Sequence, residues 1–145
     1  MLDDLYNEKI LEFAANIPRL RRLEAPQGTS TQRSRLCGSQ VTVDVVMDGG
    51  RVIDFGHEVK ACALGQASSS IMAQTVVGAS VEELDDLCRT MTAMLKEGGP
   101  APDGRFADFA VLAPVAPHKS RHASTLLTFE ATVDAARKAA LAKAA

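Results

Sequence analysis

Two stretches of alternating side chains flank a glycine turn in the middle of this chain. They limit its fold more than any other feature. Val41, Val43, Val45 and Met47 alternate with mostly polar neighbours, the period-two pattern of a half-buried strand. Asp48-Gly49-Gly50 supplies a hairpin turn, and Arg51 to Lys60 returns as the partner strand with Ile53, Phe55 and Val59 on one face. Such a hairpin brings residues near 40 and near 60 together. Cys37 lies just before the first strand and Cys62 just after the second. Two thiols far apart in sequence are therefore expected at one end of a sheet.

Beyond Cys62 the pattern turns helical, with Leu64, Ala67, Ile71 and Met72 on a buried face and an end near Gly78. A thiol at a helix N-terminus faces unpaired backbone N–H groups and the positive end of the dipole. Both favour thiolate, the form that binds metal and attacks sulfur. The plainer alternative is a pair of small, semi-buried apolar residues. Placement at a strand end and a helix start favours a shared site for metal or sulfur chemistry.

The remaining elements follow from local signals. Leu2 to Ile17 has helical spacing at Leu5, Ile10, Leu11, Ala14 and Ala15, with Asp3 and Asp4 in the first turn and Pro18 as the stop. Residues 19–34 read as polar and irregular, with room for one short strand. Ser80 and Glu83 form a capping box ahead of the stripe Leu84, Leu87, Cys88, Met91, Met94 and Leu95. An exposed loop follows over residues 98–104, then a short helical piece from Phe106 to Leu112. Pro114 and Pro117 interrupt the chain before an Ala-rich helix from about Ser124.

Length and composition agree with one domain over residues 1–145 and a real hydrophobic core. Of 145 residues, 46% are apolar and 23% charged, the mix of a globular protein. A net charge of −2 gives no nucleic-acid footprint. The basic cluster Arg19-Leu20-Arg21-Arg22 reads as a solvated helix end rather than a phosphate or lipid site. No run approaches the roughly 20 apolar residues of a membrane span, and no signal segment opens the chain, so a cytoplasmic location is expected. Three cysteines in a reducing compartment argue for free thiols, ligands or core residues rather than disulfides.

These residues resemble the iron–sulfur cluster assembly scaffolds of the IscU/NifU N-terminal type, and most closely the SufU-like branch. Cys37-Gly38-Ser39 stands where that family has Cys-Gly-Asp, and Gly50-Arg51 with Ile53 and Asp54 matches its turn. Cys62-Ala63-Leu64-Gly65-Gln66-Ala67-Ser68-Ser69-Ser70-Ile71-Met72 matches its Cys-Ala-x-x-x-Ala-Ser-Ala-Ser-Met signature. Leu5-Tyr6, Ile10-Leu11 and Pro18-Arg19 look like its first helix and exit. Asp108 to Val115 resembles the SufU-like insertion. Two departures stand out: Ser39 replaces the assisting Asp, and the third Cys is absent. Aligned through Pro117 and Lys119, His122 takes that Cys position. Aligned through Ser124 to Leu126, Ala123 takes it. In both registers His122 is the metal-capable side chain near the third corner.

The resemblance implies an α+β fold, a small antiparallel sheet of about three strands with helices packed on one face. It implies a scaffold or sulfur carrier rather than a self-sufficient enzyme, binding iron or a [2Fe–2S] cluster through Cys37, Cys62 and His122 and passing it to acceptor proteins. Cys37 and Cys62 are the candidate persulfide acceptors, with a cysteine desulfurase as donor. Zn(2+) with a sulfurtransferase role is the alternative, and a degenerate docking module a third. Ser39, Lys60 and Arg121 are candidates to support the sulfurs from behind, the two cations by holding thiolates ionised. A monomer or weak homodimer is expected. Cys88 reads as core, His57 as a partly buried strand residue and His118 as a loop residue. Ser68-Ser69-Ser70 lacks the glycine elbow of a serine nucleophile and reads as a close-packing surface.

Overall fold

A computed structural model of the chain describes residues 5–144. Asp3 and Asp4, expected in the first helical turn, lie outside the described residues. Helix α1 spans Glu8–Ala15, and Asn7 caps it by accepting from the Ile10 N–H at 3.1 Å. The continuous helix expected up to Ile17 is therefore punctuated at Asn7, whose side chain satisfies a first-turn donor. It ends at Asn16, before Pro18.

Strands β1 (Gly28–Arg33), β2 (Gln40–Asp48) and β3 (Arg51–Lys60) form an antiparallel sheet in the order β1-β2-β3. The short strand allowed for within residues 19–34 is β1. Val41, Val43, Val45 and Met47 all point into the core. The β2–β3 turn uses Gly49 and Gly50, both at positive φ, as a two-residue hairpin with matching twist requires.

One expectation fails within β3. Alternation puts Ile53 on the face of Phe55 and Val59, but it is 54% exposed, and Val52 is buried in its place. The register explains this: Val46 pairs with Asp54 while Met47 pairs with Val52, so Ile53 is the extra residue of a bulge. A bulge shifts the alternation by one, which no period-two count can anticipate.

Helices α2 (Ala63–Thr75), α3 (Val81–Glu97) and α4 (His122–Ala144) complete the core, and α4 lies along β1 and β2. Gly28 permits that approach, because a Cβ there would fall 2.0 Å from the Ala135 carbonyl oxygen. The Ser80–Glu83 capping box is present at the start of α3. Between α3 and α4, residues Gly104–Val115 form a 3₁₀ helix. Phe106, Phe109, Leu112 and Val115 recur every third residue and are all buried, the spacing of three residues per turn.

The Arg19–Arg22 cluster is not a solvated helix end. It wraps the free edge of β3 and crosses the outer face of the sheet. His57, completely buried rather than partly so, places Nε2 2.9 Å from the Pro18 carbonyl, and its backbone N–H donates to the Arg19 carbonyl. Gly56 has no side chain where the Arg21 carbonyl passes. Arg22 then donates to both oxygens of Asp44, at 2.6 and 3.0 Å, and the Leu23 N–H and Thr29 hydroxyl complete that carboxylate's shell. Burial of Asp44 raises its pKa, but these hydrogen bonds outweigh it and hold the carboxyl below the usual range. Arg19 and Arg21 approach Asp54, so the cluster is compensated by the sheet's own acids.

Candidate functional site

The hairpin register carries the site. Gln40 pairs with Lys60, so Cys37, three residues before one, and Cys62, two residues after the other, emerge at the same sheet end. A second hairpin sharpens the position of Cys37. Arg33 pairs with Gln40, the Ser34 N–H donates to the Ser39 carbonyl at 2.8 Å, and the Gly38 N–H donates to the Ser34 carbonyl at 3.0 Å. Gly38 closes this loop at φ 70°, a left-handed conformation that suits glycine. Cys37 is left exposed at the tip between two buried serines.

Those serines set its chemistry. Ser39 Oγ lies 2.9 Å and Ser34 Oγ 3.6 Å from Cys37 Sγ. The Ser39 hydroxyl first, then the Ser34 hydroxyl, outweigh burial and pull the thiol from an ordinary 9.0 to about 7. The Ser39 backbone and the Ser124 hydroxyl add smaller contributions of the same sign. Both hydroxyls can donate to the sulfur once it is ionised, which favours the thiolate and brings its ionisation close to neutral pH.

Cys62 occupies the N-cap position of α2, half-buried and with extended backbone, and its side chain makes no capping hydrogen bond. Its sulfur instead lies 3.6 Å from Ser124 Oγ, in the first turn of α4. The Ser124 hydroxyl thus touches Cys62 directly and adds the smallest of the contributions that lower the Cys37 pKa. Gly65 allows α2 to come this close to α4, since a Cβ there would meet Ala61 Cβ at 2.7 Å and the Ser124 carbonyl oxygen at 3.2 Å. Ser68 ties the helices together by donating to the Thr125 carbonyl at 2.9 Å, and Ser70 donates to the Asn16 carbonyl at 3.2 Å. The serine triplet is a packing surface, as its residue types suggest.

His122 is not brought into a shell with the two sulfurs. It is buried at the start of α4, with Nε2 2.8 Å from the Ala116 carbonyl. Among the described residues no three His, Cys, Asp or Glu side chains gather to hold a metal ion. Zinc in a structural site takes four such ligands, and a catalytic zinc takes three. The donor set here, two thiols and a ring of hydroxyls, does not fit a resident zinc. Arg121 contributes through its backbone, which accepts from Ser124 at 3.2 Å and Thr125 at 2.7 Å. Lys60 is exposed at the end of β3. Cys88 packs against the core from α3, and burial pushes its thiol up. Ser34 and Ser124 were not foreseen. The available signal was a small hydroxyl residue three positions before Cys37, and another at the head of the last helix.

The sequence pattern of the NifU-like N-terminal domain matches residues 5–124, and the chain belongs to that family. Its fold is similar to that of a nitrogen-fixing NifU-like protein (N-terminal) from Brucella abortus. The TM-score is 0.94 and the identity 55%, with 97% of each chain covered. The iron–sulfur cluster assembly scaffold protein IscU of Thermotoga maritima is 23% identical over 134 residues, 92% of this chain and 94% of that one. The zinc-dependent sulfurtransferase SufU of Bacillus subtilis is 25% identical over 95 residues, 66% of this chain and 64% of that one. Among the described residues no helix is long and apolar enough to cross a membrane.

Proposed function

We propose that this chain is an iron–sulfur cluster assembly scaffold that takes sulfur on Cys37 and holds nascent iron–sulfur cargo between Cys37 and Cys62. The observation that carries the reading is the hairpin register that brings both cysteines to one sheet end, with Ser124 against Cys62, in a family whose members include IscU. Cys37 is the receiving thiol because it is exposed and acidified. Its thiolate attacks the outer sulfur of a donor persulfide, forming the Cys37 S–S bond while the donor's inner sulfur leaves as thiolate. A cysteine desulfurase is the donor that this chemistry calls for. Cys62, half-buried at the head of α2, is the second sulfur for iron.

Two protein thiolates leave coordination positions on the cargo open. An open shell suits a site that must release what it holds to an acceptor protein, whereas a closed four-ligand shell retains metal. Lys60 and Arg121 flank the site in sequence and would offset the negative charge of a thiolate-bound cluster.

A second reading, a persulfide acceptor that never builds a cluster, draws on the similarity to SufU and on the exposed, acidified Cys37. One experiment separates the two. The protein is purified without oxygen, then incubated with a cysteine desulfurase, cysteine and ferrous iron. Visible absorbance reports cluster, and intact-protein mass reports persulfide. A chromophore that disappears in both Cys37→Ser and Cys62→Ser supports the scaffold. Persulfide on Cys37 without a chromophore supports the acceptor. Absence of both rejects the two readings together.

A further inference from the structure

The face beside the Cys37 loop carries a charge pattern that the sulfur chemistry does not use. A cleft of about 560 Å³ opens between the β1–β2 loop, the end of α3 and the first turns of α4. Arg33, Arg35, Lys96 and Lys119 line it, against a single carboxylate, Glu130. The whole chain has 16 Lys and Arg against 18 Asp and Glu, so this local excess is not a reflection of composition.

Most arginines elsewhere are compensated by acids. Arg19, Arg21, Arg22, Arg51, Arg89 and Arg137 all lie within 4 Å of a carboxylate. No ion pair among the described residues includes Arg35 or Lys119, and Arg33 binds the neutral Gln40 side chain. Lys96 acts on Glu130 electrostatically. Leu126 and Leu127 give the lining its apolar part, each 3% exposed, and Leu36 stands 76% exposed in the loop that forms one wall. Cations around an apolar floor match a ligand with the inverse pattern.

We propose that this cleft docks an acidic segment of a partner protein, a short stretch of chain with carboxylates on either side of a large apolar side chain. Carboxylates would meet Arg35, Lys119 and Arg33, and the apolar side chain would cover Leu126 and Leu127 beside Leu36. Ser34 lines the cleft and its hydroxyl is 3.6 Å from Cys37 Sγ, so a segment seated there holds its parent protein against the receiving thiol. The inference deepens the proposed function, on whose reading the docked protein exchanges sulfur or cluster with Cys37.

The probe is a fluorescein-labelled peptide, acetyl-Glu-Asp-Leu-Leu-Asp-Glu-amide, followed by anisotropy with the full chain. Saturable binding is expected at about 20 mM salt, weakening at least tenfold at about 300 mM because the screening length falls from about 20 Å to about 6 Å. The double variant Arg35→Glu/Lys119→Glu should bind at least tenfold more weakly, with unchanged circular dichroism. Lys9→Glu, on α1 and lining a different cleft, should stay within twofold. A peptide with Ser for both Leu should bind at least fivefold more weakly.

Four outcomes of the peptide experiment overturn the proposal. They are no binding at 1 mM protein, equal loss in Lys9→Glu, equal binding of the Ser peptide, and full displacement by millimolar phosphate or succinate. The last would assign the cleft to small anions. Dimers in sedimentation that dissolve in the double variant would assign it to a second copy of the chain and equally overturn it. Persulfide loading of Cys37 is read separately by mass. Normal loading with no peptide binding removes the docking inference alone. Peptide binding with no loading removes the proposed function alone.

Discussion

Ser39 Oγ lies 2.9 Å from Cys37 Sγ, at the position where the resembled family carries an acidic residue. The substitution reverses the sign of the local electrostatics. A carboxylate beside a thiol opposes its ionisation, whereas a hydroxyl that donates to sulfur promotes it. Ser39→Ala should therefore raise the Cys37 pKa from about 7 towards its ordinary 9.0. A rise of one unit would cut the thiolate fraction at pH 7 from about half to about a tenth. Peptide-resolved alkylation by iodoacetamide across pH 6–9 checks this, and an unchanged midpoint would refute it.

The same ionisation links pH to stability. A thiol whose folded pKa is depressed contributes stability that is complete above its unfolded value of 9.0. That contribution is lost as pH falls through about 7. Cys37→Ser should then flatten the part of the stability profile lying between pH 9 and pH 7. Urea midpoints across that window, compared with those of the unaltered protein, provide the measurement.

Cys62→Ser and Cys88→Ser should behave differently. Cys62 faces Ser124 at the site, so its loss should abolish cluster or stable persulfide cargo while folding persists. Cys88 packs against the core, and its replacement should leave cargo intact and cost roughly 1 kcal/mol of stability. Equal effects of the two changes on cargo would contradict the assignment.

Gly65→Ala tests how the site is braced. The new Cβ would press on Ala61 and on the Ser124 carbonyl, forcing α2 from α4. A cost of about 1–3 kcal/mol in urea unfolding is expected, as for overpacking in a core. Cargo should also be lost in protein that remains folded at low temperature.

His122→Ala supplies the complementary test. Its Nε2 is engaged by the Ala116 carbonyl, so the variant should lose stability but keep its cargo. Loss of the chromophore at unchanged secondary structure would restore the imidazole as a third ligand.

Much of this protein is legible in its residues. The alternation of Val41 to Met47, the glycine turn, the capping box at Ser80 and the helix after Cys62 are local patterns, each decided by neighbours within a few positions. They are enough to bring Cys37 and Cys62 to one sheet end, because a hairpin register is itself nearly local. Side-chain outcomes that depend on distant chain were not legible. The bulge at Ile53, the wrapping of Arg19–Arg22 around β3 and the capture of His122 by Ala116 each follow from tertiary contacts. Ser124 joins the site for the same reason: Gly65 lets α4 settle against α2, and only that packing places its hydroxyl at the Cys62 sulfur. Local periodicity determined where the thiols lie along the chain, and long-range packing decided which groups surround them.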